Sequence, residues 1–229
     1  MFYNPEPSRG WIVEAIYDND RRTRRTLACM QKDPEAPGES DVGIRNLIYT
    51  MVLNLRPRIV LEIGCHIGNG AVVIGSALRK NGYGKLITLE PAPHYQQIAA
   101  KYIAKSRLQS FVQIVPQYSY DPSCQEFLRQ QAPFDLIFID GAHEYDAAMA
   151  DIVLSAEIMH DNGIAILHDT GRMSSEIDRS GKGGVRRALH DYVGIHPDMR
   201  SIYLEHPLWL NPCGAAILCR QILEPPVSA

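Results

Sequence analysis

What the chain lacks narrows its class before any motif is considered. Its 229 residues include no apolar run of membrane-spanning length, so no membrane span is expected. The opening Met1-Phe2-Tyr3-Asn4-Pro5 is not a charged region leading into an apolar one, so no signal peptide is expected either. The five cysteines (Cys29, Cys65, Cys124, Cys213 and Cys219) are odd in number and share no Cys-x-x-Cys spacing, which argues against a disulfide framework and against a structural zinc site. No long block of like charge points to a nucleic-acid partner. The formal net charge is -3, and the one basic cluster (Arg21, Arg22, Arg24, Arg25) is flanked by Asp18, Asp20 and Asp33, as on a solvated helix face. There is no internal repeat. What remains is a cytoplasmic globular protein without membrane or nucleic-acid partners, long enough to bury a sizeable core; homo-oligomerisation is compatible with all of this.

From about Arg58 onward, short β-branched runs alternate with longer amphipathic ones, the pattern of an α/β fold with a parallel sheet and crossover helices on both faces. Strands are expected at Arg58–Gly64, Lys85–Glu90, Phe111–Pro116, Phe134–Asp140 and Gly163–His168, and helices at Asn69–Lys80, His94–Ser106, Pro122–Gln131 and Asp146–Met159. Ile59-Val60-Leu61 and Leu136-Ile137-Phe138-Ile139 are apolar without alternation, as strands covered on both faces should be. A polar stretch from Thr170 to Gly184 then leads to a helix at Val185–Val193 and two further strands, Ser201–Glu205 and Ala215–Cys219. The link between those strands carries Pro207, Asn211, Pro212 and Gly214 and is short enough to make them antiparallel. Residues 1–57, with a break at Asp33-Pro34-Glu35-Ala36-Pro37-Gly38, are expected to form a small N-terminal helical cap on a 58–229 domain.

The most informative segment is Val60-Leu61-Glu62-Ile63-Gly64-Cys65-His66-Ile67-Gly68-Asn69-Gly70, a strand, a glycine-bearing turn and a helix start. Glycines let such a backbone turn sharply and approach a ligand, and the helix start offers unpaired N–H groups. The spacing Gly-x-x-x-Gly-x-Gly departs from the dinucleotide fingerprint Gly-x-Gly-x-x-Gly. Glu62, two residues before Gly64, would repel a phosphate but suits a cation, such as the amino group of an amino acid bound near a sulfonium. Glu90 ends the next strand, where α/β sheets bind ribose hydroxyls. Gly64 and Gly68 read as simple turn glycines would lack this acidic pair.

The segment resembles motif I of class I S-adenosylmethionine-dependent methyltransferases, and five parallel strands followed by a hairpin match their Rossmann-like seven-stranded layout. The non-glycine His66 is similar to the catechol O-methyltransferase-like branch. The resemblance implies S-adenosylmethionine as cofactor, held by Glu62, Gly64, Gly68, Asn69, Glu90 and Asp140, with Ser119 near the adenine. Asp140-Gly141-x-His143-x-Tyr145, His168-Asp169-Thr170 and Gly184-Val185-Arg186-Arg187-Ala188 resemble the methyltransferase-24 family, whose members resemble metal-dependent sugar and natural-product O-methyltransferases. That resemblance implies Asp140 and Asp169 as ligands of Mg²⁺ or Mn²⁺, Thr170 where a third ligand is asparagine in related enzymes, and His143 as general base acting with Asp140.

Each of these residues also has a bland reading. Asp140 and Asp169 can simply cap turns, and His143 is one of several histidines in this region. A His/Asp zinc centre is not expected, because no nitrogen and sulfur ligands occur at close spacing. Strand alternation sets His168 and Asp169 on opposite faces, which favours His143 over His168 as the base. The stretch Gly171–Gly184, with Gly181, Gly183 and Gly184 as hinges, suits a lid. The expected reaction is methyl transfer to a hydroxyl of a small molecule; a hydroxylase-like oxidoreductase on the same scaffold and a catalytically inactive partner subunit are the alternatives.

Overall fold

The computed structural model describes residues 20–36, 40–205 and 213–221. Asp18, Pro37, Gly38, Pro207, Asn211 and Pro212, which enter the sequence reading, lie outside the described residues, as do residues 1–19. Two helices precede the sheet: α1 (Arg21–Met30) and α2 (Val42–Leu55). Each starts at an aspartate whose carboxylate accepts two backbone N–H bonds: Asp20 from Arg22 and Thr23, and Asp41 from Gly43 and Ile44. The Arg21, Arg22, Arg24 and Arg25 face of α1 is exposed, as expected, and Asp20 also pairs with Arg79.

The remaining elements alternate: β1 (Ile59–Ile63), α3 (Asn69–Asn81), β2 (Lys85–Leu89), α4 (Pro93–Lys105), β3 (Val112–Val115), α5 (Pro122–Gln131), β4 (Phe134–Ile139), α6 (Tyr145–Ile158), β5 (Met159–His168), α7 (Ser174–Ile177), α8 (Gly184–Ile195), β6 (Met199–Leu204) and β7 (Ala215–Arg220). They form one seven-stranded sheet in the order β3-β2-β1-β4-β5-β7-β6. The neighbouring pairs from β3 to β5 are parallel, and β7 runs antiparallel to both β5 and β6. The order reverses between β1 and β4, which opens a crevice at the strands' carboxyl ends.

Every central strand is buried on both sides, which explains the unbroken apolar runs. Val60, Leu86, Leu136, Phe138 and Ile166 face one core together with residues of α1 to α4, including Leu27, Ile44, Ile48 and Val52. Leu61, Ile63, Ile87, Ile137, Ile139 and Leu167 face the other, with α5, α6 and α8. Each of these large side chains contributes about 2 kcal/mol by leaving water, so α1 and α2 share the core of the sheet rather than resting on it. A buried hydroxyl pair, Thr23 with Ser76 at 2.5 Å, ties α1 to α3.

Two boundaries depart from expectation. The fifth strand begins at Met159, not Gly163: Phe134 pairs with Met159 across a register shift. The exposed Asp161 and Asn162 carry no hydrophobic signal, so this bulged start is invisible in the sequence. The polar stretch after β5, to which the sequence assigned no helix, contains the short helix α7. Two of its three proposed hinges, Gly183 and Gly184, donate their N–H groups to the Asp178 carboxylate, which also accepts from Ser180, and the third, Gly181, donates to the Asp178 carbonyl at 3.4 Å.

Candidate active site

A cavity of about 600 Å³ opens at the carboxyl ends of β1, β2, β4 and β5. On its β1 side, the turn carrying Gly64 lies directly against Asp140: Gly64 has φ +98°, and a Cβ there would collide with the Asp140 carbonyl. The Asp140 N–H donates to the Ile63 carbonyl at 2.9 Å, so the ends of β1 and β4 are held together at this point. His66 also has a left-handed backbone, φ +49°, which accounts for glycine at this position in related motifs. Here its N–H donates to Glu90 Oε2 at 2.7 Å and its ring meets Tyr95 edge-on at 4.5 Å. The other Glu90 oxygen accepts the Ala92 N–H at 3.0 Å, so the carboxylate is pinned at the cavity wall just past β2.

Glu62 lies beneath the start of α3, fully buried, and accepts the Thr88 hydroxyl at 2.5 Å. Burial pushes its carboxyl up to about 8, only partly offset by the Thr88 bond. Asn69 is buried beside it; its Oδ1 accepts from Arg45 at 3.3 Å and its Nδ2 has no hydrogen-bond partner among the described residues. Gly68, φ +95°, caps α3 without a side-chain bond. Glu62, Gly64, Asn69, Asp140 and Ser40 enclose a second, smaller space of about 40 Å³. Ser119 lines the main cavity, but its hydroxyl donates to Asp151 at 2.5 Å. Burial raises the Asp151 carboxyl to about 6 despite that bond. Asp151 was missed in the sequence, although an acid set between Ala150 and Ile152 in an apolar stretch of α6 was the available signal.

The opposite wall gathers the catalytic candidates. Asp140 Oδ1 lies 2.9 Å from His168 Nδ1, and Asp140 Oδ2 accepts the Ser40 hydroxyl at 2.6 Å. Asp169 Oδ2 lies 2.9 Å from His143 Nδ1 and 3.3 Å from His168 Nδ1. His168 Nε2 faces Asp41 Oδ2 at 3.9 Å. The expectation that His168 and Asp169 diverge is therefore not met. Asp169 sits at φ +57°, which breaks the strand alternation and turns its carboxylate back toward the histidines. Ser40 and Asp41, from the N-terminal segment, were not singled out in the sequence; the link appears only when α2 packs beside α3.

Electrostatics follow this geometry. The hydrogen bond that His143 Nδ1 donates to Asp169 raises His143 above the usual imidazole range, against partial burial. Burial opposes charge on His168, but Asp140, Asp169 and Asp41 outweigh it and hold the ring well above that range. Asp169 pays a burial penalty, yet its two imidazole partners hold it far below the ordinary carboxylate range. Two carboxylates meeting at one point require a cation, and His168 supplies one. Thr170 is fully buried, its hydroxyl lacks a partner among the described residues, and it does not line the cavity. With imidazole between the carboxylates, the donor set fits a divalent ion that accepts nitrogen, such as Mn²⁺, better than Mg²⁺, which seeks an octahedron of oxygens.

Residues 61–170 match a family model described as a methyltransferase domain. The chain is similar to a catechol O-methyltransferase of Niastella koreensis, 40% identical over 81 residues that make up 35% of this chain and 36% of that protein. It is also similar to O-methyltransferase ankF of Aspergillus thermomutatus, 28% identical over 126 residues, 55% of this chain and 51% of that protein. The match thus spans about a third to a half of the length of these curated relatives. The fold resembles an O-methyltransferase from Bacillus cereus solved in complex with SAH, with TM-score 0.73 at 18% identity over 88% of this chain and 91% of that one. It also resembles the O-methyltransferase TomG of Streptomyces achromogenes solved with SAM, with TM-score 0.72 at 18% identity over 88% and 90% of the two chains. Residues 61–170 thus match the methyltransferase-domain family model, and they are set in a class I, Rossmann-like methyltransferase fold.

Proposed function

We propose that this protein binds S-adenosylmethionine and transfers its methyl group to a hydroxyl of a small molecule, a sugar or natural product. The observation that carries this is one cavity with a pinned carboxylate, Glu90, at one wall and the Asp140–His143–His168–Asp169 cluster at the other. The first suits ribose hydroxyls; the second suits a hydroxyl that must lose a proton. In the reaction the acceptor oxygen attacks the methyl carbon in line with the departing sulfur. The C–S bond breaks, the sulfonium becomes a neutral thioether, and the acceptor proton must leave. Much of the rate comes from holding oxygen, carbon and sulfur aligned.

His143 takes that proton in this reading. Asp169 binds its Nδ1 and leaves Nε2 to accept, and the same carboxylate stabilises the imidazolium that forms. His168, held protonated by its carboxylates, keeps the wall electropositive where the acceptor oxygen gains charge. A divalent ion held by Asp140 and Asp169 would lower the acceptor's pKa further. The oxidoreductase and inactive-subunit alternatives are not favoured: the named relatives are O-methyltransferases, and the acid and histidine cluster is intact. Calorimetry tests the cofactor half. The wild type should bind S-adenosylhomocysteine, and Glu90→Ala should weaken it by a few kcal/mol, through loss of a charge-assisted contact to paired hydroxyls. Failure of the wild type to bind, or tight NAD binding instead, overturns the assignment.

A further inference from the structure

We infer that the carboxyl end of β5 is built for a borderline transition-metal ion of the Zn²⁺, Co²⁺ or Fe²⁺ class, with Cys213 as a sulfur ligand beside His168 and Asp169. The inference rests on the metal-assisted reading above and revises its ligand set: Asp169 remains a ligand, Asp140 holds the His168 ring through Nδ1 at 2.9 Å, and His168 and Cys213 supply nitrogen and sulfur. One donor atom from each of the three residues lies within 4.8 Å of the other two. His168 and Asp169 are buried, Cys213 is half-buried, and all three line the main cavity.

Sheet register places the cysteine. β7 runs antiparallel to β5 with Ala215 opposite His168, so the residues just before β7 arrive where β5 ends. The Gly171 N–H donates to the Cys213 carbonyl at 2.5 Å. Gly214, at φ +67°, permits this approach, because a Cβ there would lie 2.7 Å from the Gly171 backbone. Burial, with Asp169 and Asp41 adding to it, pushes the Cys213 thiol up to about 11, so an ion seated here would have to displace the thiol proton and a proton of the His168 ring.

A second observation points to a ligand. Among the described residues, His168 Nε2 and Asp41 Oδ2 are both buried without a hydrogen-bond partner and face each other only as an ion pair at 3.9 Å. A buried polar atom left unsatisfied is costly. Donor chemistry selects the ion: imidazole, carboxylate and sulfur together suit borderline ions, whereas Mg²⁺ and Ca²⁺ take oxygens. Around a tetrahedral ion such atoms lie about 3.5 Å apart, so closing the site needs roughly 1 Å of side-chain movement. Three protein ligands with a fourth position facing a 600 Å³ cavity describe an open, reactive site rather than a closed structural one.

Cobalt tests this directly. Wild-type protein titrated with Co²⁺ alone should bind about one ion per chain and develop a thiolate-to-cobalt charge-transfer band in the near ultraviolet. Cys213→Ser should lose the band and bind Zn²⁺ at least about tenfold more weakly, while retaining wild-type affinity for S-adenosylhomocysteine as proof of folding. Cys29→Ser, at an exposed position away from the cavity, should keep the band. A wild type that binds Co²⁺ without the band, or a band that survives in Cys213→Ser, overturns the inference. If Mn²⁺ or Mg²⁺ binds equally well to wild type and Cys213→Ser, the metal-assisted reading stands and the sulfur ligand falls. If no divalent ion binds, both fall, and S-adenosylhomocysteine binding decides the cofactor proposal separately.

Discussion

Glu62 shows how burial changes what a side chain can do. Its carboxyl, pushed up to about 8 by burial, keeps its proton at neutral pH when no cation faces it. The linkage has a definite sign. Above the ordinary value of 4.5 the unfolded chain ionises and the folded one does not, so ligand-free stability falls as pH rises from there toward about 8. An ammonium group docking in the small space beside Ser40 and Asn69 would drive the proton off. S-adenosylhomocysteine binding at pH 7 should therefore release up to about one proton, seen as a binding enthalpy that varies with the buffer's ionisation enthalpy. Glu62→Gln should remove that dependence; a buffer-independent wild type would show that the amino group binds elsewhere. At the opposite wall, His143 should set the pH profile. Turnover should rise with pH through an apparent pKa above the ordinary histidine value, because Asp169 raises it. His143→Ala should lose that limb and roughly a hundredfold to ten-thousandfold in turnover, with cofactor affinity barely changed. An inactive His168→Ala beside an active His143→Ala would reassign the base.

At the scale of elements, α2 does two jobs through one residue. Asp41 caps the helix through Oδ1, at 2.6 Å from the Gly43 N–H and 3.1 Å from the Ile44 N–H, while Oδ2 faces His168. The two roles separate by substitution. Asp41→Ala should lower stability by about 1 kcal/mol, and Asp41→Asn by only a few tenths, because asparagine caps equally well. Both should shift the pH profile of turnover, since either removes a carboxylate that favours the charged ring of His168, and that charge in turn lowers His143. Urea denaturation and pH–rate curves on the same two variants check this. A cap-competent Asp41→Asn with a wild-type pH profile would limit Asp41 to its helix. The same logic explains how β5 ends: one left-handed residue, Asp169, swings a carboxylate out of strand alternation and into the cluster.

At the scale of the whole molecule, the sequence carried the sheet and the residues at one wall of the cavity. Apolar runs without alternation, glycine punctuation and strand-end acids are local signals; burial on both faces and a turn against a ligand impose them locally, so Glu62, Gly64 and Glu90 were legible before any coordinate. The other wall was not. Ser40, Asp41 and Cys213 carry no motif, and they lie far from the ends of β4 and β5 in the chain. Asp151 was readable only as an acid out of place. The bulged start of β5 was hidden behind two exposed polar residues. Local residue chemistry thus determined which strands form and where the cofactor turn lies, because hydrophobic period and backbone sterics act over a few residues. The antiparallel insertion of β7 beside β5, the packing of α2 on α3 and the left-handed turn at Asp169 decided which side chains meet, because convergence in space depends on register and packing between distant segments, which no local pattern encodes.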